Sequence, residues 1–118
     1  RIEIMAFVLK QGDSYKWPVV YDMPVDGGKH ERHTFDAEFK RITQSRIREM
    51  GELIENNEIT EADLVSEVLL GWDGINDEDG NPIKYSQKAL SLVIDVPMLA
   101  TSISKAFFDS IAGAKRKN

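Results

Sequence analysis

The hydrophobic period of this chain changes once, near residue 43, and that change limits the folds open to it. Before it, apolar residues recur at every second position, as Trp17, Val19, Tyr21 and Met23 in WPVVYDMPV and Phe35, Ala37 and Phe39 in TFDAEFK. After it the spacing lengthens to three or four, first with Ile47, Met50, Leu53 and Ile54. Alternation places side chains on the two faces of a strand, whereas the longer period gathers them on one stripe of a helix. Strands first and helices afterwards predict an α+β fold, a small antiparallel sheet followed by about four helices.

Residues 5 to 10, apolar without a break as far as Leu9, and the alternating segment from Trp17 predict an N-terminal β-hairpin turning at QGDS. Pro18 cannot donate to a ladder, which places the second strand at a sheet edge. Asp26-Gly27-Gly28 then turns the chain, and HTFDAEFKRIT supplies the third strand, with Thr34, Asp36, Glu38 and Lys40 on its solvated face. Phe35, Phe39 and Ile42 also fit a helical spacing, but the alternation favours the strand. The first helix starts near Thr43 and ends near Asn56 and Asn57. Thr60-Glu61-Ala62-Asp63 resembles a capping box and opens a second helix that Gly71 stops. Ser86 caps a short third helix carrying Leu90, Val93 and Ile94. The last helix, after Pro97, aligns Leu99, Ile103, Phe107 and Ile111, and Gly113 ends it. At 118 residues the chain reads as a single domain spanning residues 1 to 118. Within it Arg1 to Ile4 read as vector-derived or upstream residues ahead of Met5, and residues 114 to 118 as a polar tail.

Composition excludes several chemistries. With no Cys there is no disulfide framework, thiolate nucleophile or Cys-based metal site. A net charge of −5 argues against a domain that works by neutralising nucleic-acid phosphates. No run approaches the roughly 20 apolar residues of a membrane span, and the expectation is a cytosolic protein. The acidic loop from Asp73 to Gly80 fails as a calcium loop: with Gly80 at the sixth position, the first falls on Ile75 and the twelfth on Ser86. It reads as a solvated turn. His30 and His33, three apart in an extended chain, point to opposite faces and cannot share an ion. GxSxG, GxGxxG and GxxxxGK[ST] are absent, so neither catalytic nor cofactor residues are expected, no metal site, and no enzyme.

Aromatic residues suggest interfaces instead. Phe107 and Phe108 are consecutive on a helix and so lie about 100° apart. If Phe107 joins the core stripe, Phe108 falls with Thr101 and Ser104 on the polar side and becomes a candidate interface residue. Trp17 and Tyr21, on the presumptive edge strand, are candidates for the same reason. Lys115-Arg116-Lys117 make at most a weak phosphate site, and cations after a helix C-terminus are already explained by its dipole.

Two segments, PVDGGKHERHTFDAEFKRITQSRI and EVLLGWDGINDEDGNPIKYS, resemble the tail assembly chaperones of long-tailed bacteriophages. The most specific elements are the DGG turn leading into Thr34, Phe35, Phe39, Lys40 and Arg41, then Gly71-Trp72-Asp73-Gly74 and Asp79-Gly80-Asn81-Pro82. The resemblance implies a non-enzymatic protein of the host cytoplasm, absent from the mature virion, that covers the tape measure protein until the tail tube polymerises around it. It implies self-association into open or spiral homo-oligomers. It also implies a longer, frameshifted product that would bring in the tail tube protein as a further partner. Arg116-Lys117-Asn118 can be encoded as AGA AAA AAC, which contains a slippery heptamer, so Lys115, Arg116, Lys117 and Asn118 are the candidate frameshift junction. The competing expectation is a permanent head-tail connector or tail-completion protein.

Overall fold

The computed structural model describes residues 4–10 and 12–113, and the seven elements within them form one α+β unit. Strands β1 (Ser14–Val25) and β2 (Lys29–Lys40) make a long hairpin, and β3 (Leu69–Asp73) adds to β2, giving a three-stranded antiparallel sheet in the order β1-β2-β3. Helices α1 (Gln44–Glu55), α2 (Glu61–Val68), α3 (Gln87–Ile94) and α4 (Leu99–Ala112) complete it.

The hairpin turns at Asp26-Gly27-Gly28, not at QGDS. Gly27 and Gly28 take φ values of 85° and 71°, which other residues rarely adopt, so the turn is written into the sequence. Register then runs from Val25 opposite Lys29 to Ser14 opposite Lys40. A local turn followed by twelve paired residues gives β1 its partner, and residues 5 to 10, expected as the first strand, form none. The strand expected from Thr34 is the second half of β2. Its first half, KHERH, is exposed and has no apolar alternation to announce it. β1 is an edge strand, as Pro18 requires.

α2 also ends earlier than expected. Leu69 leaves helical geometry at φ −89°, ψ 114°, and Leu69–Asp73 pairs with β2, with a register shift between Glu38 and Phe39. Two adjacent leucines before Gly and Trp suit either a helix end or a strand, and the open edge of β2 decides. Elsewhere the caps fall where the sequence places them. Thr60 and Asp63 close a reciprocal capping box, Thr43 and Ser86 accept from Arg46 and Ala89, and Gly113 ends α4 in the left-handed region at φ 65°.

The sheet's two faces have different chemistry. Val19, Ala37 and Phe39 face the helices and join Met50, Leu64, Val65, Val68, Leu90, Ile103 and Phe107 in one core. Phe107, wholly buried, meets Phe39 edge to face at 5.3 Å between ring centres. Opposite lies the solvated face, with Thr34, Asp36 and Lys40 exposed. There Lys16 pairs with Asp73 at 2.7 Å and Arg32 with Asp22 at 3.0 Å. The Glu38 carboxylate accepts from Ser14 and lies across Gly71, where a Cβ would approach it to 3.1 Å.

Phe107→Ala should lower stability by about 3 to 5 kcal/mol, since the cavity opens where sheet and helix meet. Urea unfolding of the variant, followed by tryptophan fluorescence, measures that loss.

Candidate interaction surfaces

Two open grooves flank α4 on different stripes of that helix. The first, of about 600 Å³, opens where the start of β1, the end of β2, the start of α1 and the end of α4 converge. Tyr15, Trp17, Ile42, Ile47, Phe107 and Ile111 give it apolar walls, and Lys16, Lys40 and Arg41 are also part of its lining. Arg41 stands over the Tyr15 ring at 4.8 Å, a cation-π contact that holds the ring in the wall, while the Tyr15 hydroxyl shares a 2.7 Å hydrogen bond with Ser110.

The second groove, of about 450 Å³, lies between α1 and α4 and is lined by Gly51, Ile54, Thr101, Ser104 and Phe108, with Glu55, Glu61 and Lys105 among the lining residues. Nothing lies within 4 Å of where a Gly51 Cβ would be, so the glycine leaves open space on α1 beside Phe108. Thr101 donates to Glu61 at 2.7 Å and ties α4 to the start of α2.

The three aromatic candidates therefore separate. Phe108 lines the second groove, half-buried and edge to face with Phe107 at 5.5 Å, rather than standing free on a polar side. Trp17 faces inward from β1 and lines the first groove. Tyr21 is used internally: its hydroxyl donates to the Pro97 carbonyl at 2.8 Å, joining the hairpin to the α3–α4 corner. Lys115, Arg116, Lys117 and Asn118 lie outside the described residues. An apolar corner that the sequence reading missed is formed by Leu92, Val96 and Met98, all exposed. Met98 adopts φ 66° as it turns the chain into α4, which alternation and helical spacing could not reveal.

The acidic loop is a turn organised by one side chain. The Asp77 carboxylate accepts from the backbone N–H groups of Asp79 and Asn81, both at 2.9 Å. Among the described residues no group of three or more His, Asp or Glu is placed to hold a metal ion, and no single helix is long and apolar enough to cross a membrane. Trp72 and Tyr85 stack edge to face at 5.1 Å, and the Trp72 indole N–H donates to the Ile83 carbonyl, so the Gly-Trp-Asp-Gly segment anchors the loop.

A protein-family model described as YdaY prophage protein matches residues 29–112. The chain belongs to the YdaY prophage protein family. It is phage-derived. No curated protein and no solved structure matches it. The stretch shared with this prophage family begins at the first residue of β2 and ends at the last of α4, so it contains Phe108 and the second groove's lining. β1, with Trp17 and Tyr21, precedes it.

One ion-pair cluster steadies this chain's helical layer. Arg46 of α1 reaches Glu67 of α2 through Nε at 2.8 Å and Nη2 at 2.5 Å, and Glu49 through Nη1 at 2.7 Å. The Arg46 hydrogen bonds hold the Glu67 carboxyl below its ordinary value of 4.5. A depressed folded-state pKa gives stability that is present above the unfolded value and lost as pH falls through the folded one. Glu67→Gln should therefore flatten the fall in urea midpoint below about pH 4.5, the ordinary glutamate range. Midpoints measured from pH 6 to 3 in both proteins test this; identical slopes would show that the Arg46–Glu67 pair has no part in acid unfolding. Phe108→Ala should cost well under the Phe107→Ala loss, about 1 kcal/mol, because only part of its ring is buried.

Proposed function

We propose that this chain is a tail assembly chaperone of its prophage, a non-enzymatic protein that covers the apolar helix faces of the tape measure protein until the tail tube forms. The observation that carries the reading is membership of a prophage family across residues 29–112, a span that includes Thr34 to Arg41 and Gly71 to Pro82, which with the DGG turn just before it are the elements behind the chaperone resemblance. The geometry is suited to the task. An amphipathic helix is recognised by an apolar groove that receives side chains spaced three and four apart. The groove beside Phe108 offers Ile54 and Phe108 as apolar walls, with Glu55, Glu61 and Lys105 available to its polar flanks.

On this reading the protein acts in the host cytoplasm, self-associates along its partner, binds neither nucleic acid nor membrane, and leaves before the virion is complete. A frameshifted longer product that meets the tail tube protein belongs to the same proposal. Co-expression with the prophage's tape measure protein should bring the latter into the soluble fraction, and Phe108→Asp should abolish this without changing the fold. A tape measure protein that stays insoluble with the wild-type chain would overturn the proposal. So would the presence of this chain in purified virions at fixed copy number, the result expected of a head-tail connector.

A further inference from the structure

We propose that the groove beside Arg41 binds an acidic, apolar segment of a partner protein, its carboxylates meeting Arg41 and Lys40 and its apolar side chains entering between Tyr15, Trp17 and Ile111. This goes beyond the tape measure reading, which uses the Phe108 groove, and it rests on a difference in charge between the two. Among the described residues the first groove is lined by Lys16, Lys40 and Arg41 and by no Asp or Glu, in a chain whose net charge is −5. The second is lined by Glu55 and Glu61 against the single cation Lys105. The adjoining hollow at the start of α1 shares Lys40, Arg41 and Ile42 and adds Lys10 and the Arg46–Glu67 pair, so the cationic surface continues past the groove's mouth.

The three cations of the groove are not equivalent. Lys16 is spent, since it pairs with Asp73 at 2.7 Å on the sheet's solvated face. Glu67, which feels the Lys40 charge, is already held by two N–H groups of Arg46, and Lys40 has no ion pair among the described residues. Arg41 is both placed and left open. Its backbone N–H donates to the Asp13 carbonyl at 2.9 Å, and its guanidinium stands over the Tyr15 ring, which is itself held by the hydroxyl bond to Ser110. A ring face attracts the cation but is no substitute for oxygen acceptors, and among the described residues no oxygen accepts from the guanidinium. A planar fork fixed in this way meets a carboxylate through two parallel hydrogen bonds with little further ordering. The same Tyr15 ring is a wall of the groove, so a carboxylate at Arg41 lies next to the space of about 600 Å³ that takes the segment's apolar side chains. Two open cations in the groove of an acidic chain are too few to hold a phosphate backbone, and the aliphatic walls suit a peptide.

The test measures fluorescence anisotropy of three labelled helical peptides of equal length against the full chain. The first carries Leu three and four residues apart with Glu on the flanks, the second has every Glu replaced by Lys, and the third keeps Glu but has every Leu replaced by Ser. The first should bind about tenfold tighter than either of the others, the worth of a charge-assisted hydrogen bond, although the net charge of −5 by itself favours the Lys peptide. Its affinity should fall as salt is raised. Arg41→Gln and Lys40→Gln should each weaken it about tenfold, and Arg41→Lys should recover only part of the loss because an ammonium lacks the fork. Lys40 is exposed and unpaired, so its substitution changes the groove's charge without touching the core. Equal or tighter binding of the Lys peptide, equal binding of the Ser peptide, or Arg41 and Lys40 variants that bind like the wild type would each overturn the proposal. So would a single-stranded DNA oligonucleotide that binds the groove more tightly than the first peptide. Phe108→Asp should leave peptide binding unchanged, and Arg41→Gln should still solubilise the tape measure protein, so this proposal and the chaperone reading fail separately.

Discussion

The edge-to-face contact of Phe39 with Phe107 is the joint on which the rest of the fold depends. Phe39 is near the end of β2, the middle strand of the three described, and Phe107 is in the second half of α4. Both rings are wholly buried, and around them the side chains of α1, α2 and α3 close the core. The sheet alone could not persist: three strands with one solvated face need a helical layer to cover the apolar one. α4 supplies most of that cover, and Phe107 is where it locks.

From that joint the surfaces follow. Successive residues on a helix differ by about 100° in direction, so fixing Phe107 in the core also fixes where Phe108 points. The neighbouring ring is carried into the space between α1 and α4, and the open side of Gly51 leaves that space unfilled. The same locking sets Ser110 and Ile111, one turn on from Phe107, against the start of β1, where Tyr15 bonds to Ser110. Core packing and groove geometry are thus settled by a single helix orientation. A substitution that rotated α4 would reshape both grooves while leaving their lining residues intact.

Which parts were legible in the sequence follows from the range of the forces involved. Caps and glycine turns were readable because their hydrogen bonds and φ requirements are local: Thr60 with Asp63, Ser86, Gly113 and the Asp26-Gly27-Gly28 turn all stand where expected. The helical stripe that buries Phe107 and leaves Phe108 beside it was readable from period alone. Strand pairing was not. Residues 5 to 10 carry as strong an apolar signal as β1 does, and nothing within them reveals that β2 will take β1's one paired side. β3 was hidden for a related reason, since Leu69 and Leu70 change from helix to strand only because β2 has a free edge to receive them. Of the candidate interface residues, Trp17 and Phe108 reach grooves, whereas Tyr21 is consumed by its bond to Pro97, a contact 76 residues away that local pattern cannot register.

The two grooves use interleaved stripes of one helix, and that has a geometric consequence for any assembly the chain builds. Phe107, Ser110 and Ile111 line the first groove; Thr101, Ser104, Lys105 and Phe108 line the second. Each set follows the three-and-four spacing of one helix face, and the sets are offset by one residue. An α-helix packed along its length is stiff, so the angle between the faces is fixed by covalent geometry instead of by a hinge. If copies repeat through one constant contact, every added copy presents its second groove at the same rotation and rise relative to the last. Repetition of a constant rotation and rise generates a helix, and the Phe108 grooves would follow a regular path along it. A long helical partner with apolar side chains at regular intervals is the kind of ligand such a path can cover continuously, as the proposed partner contact requires.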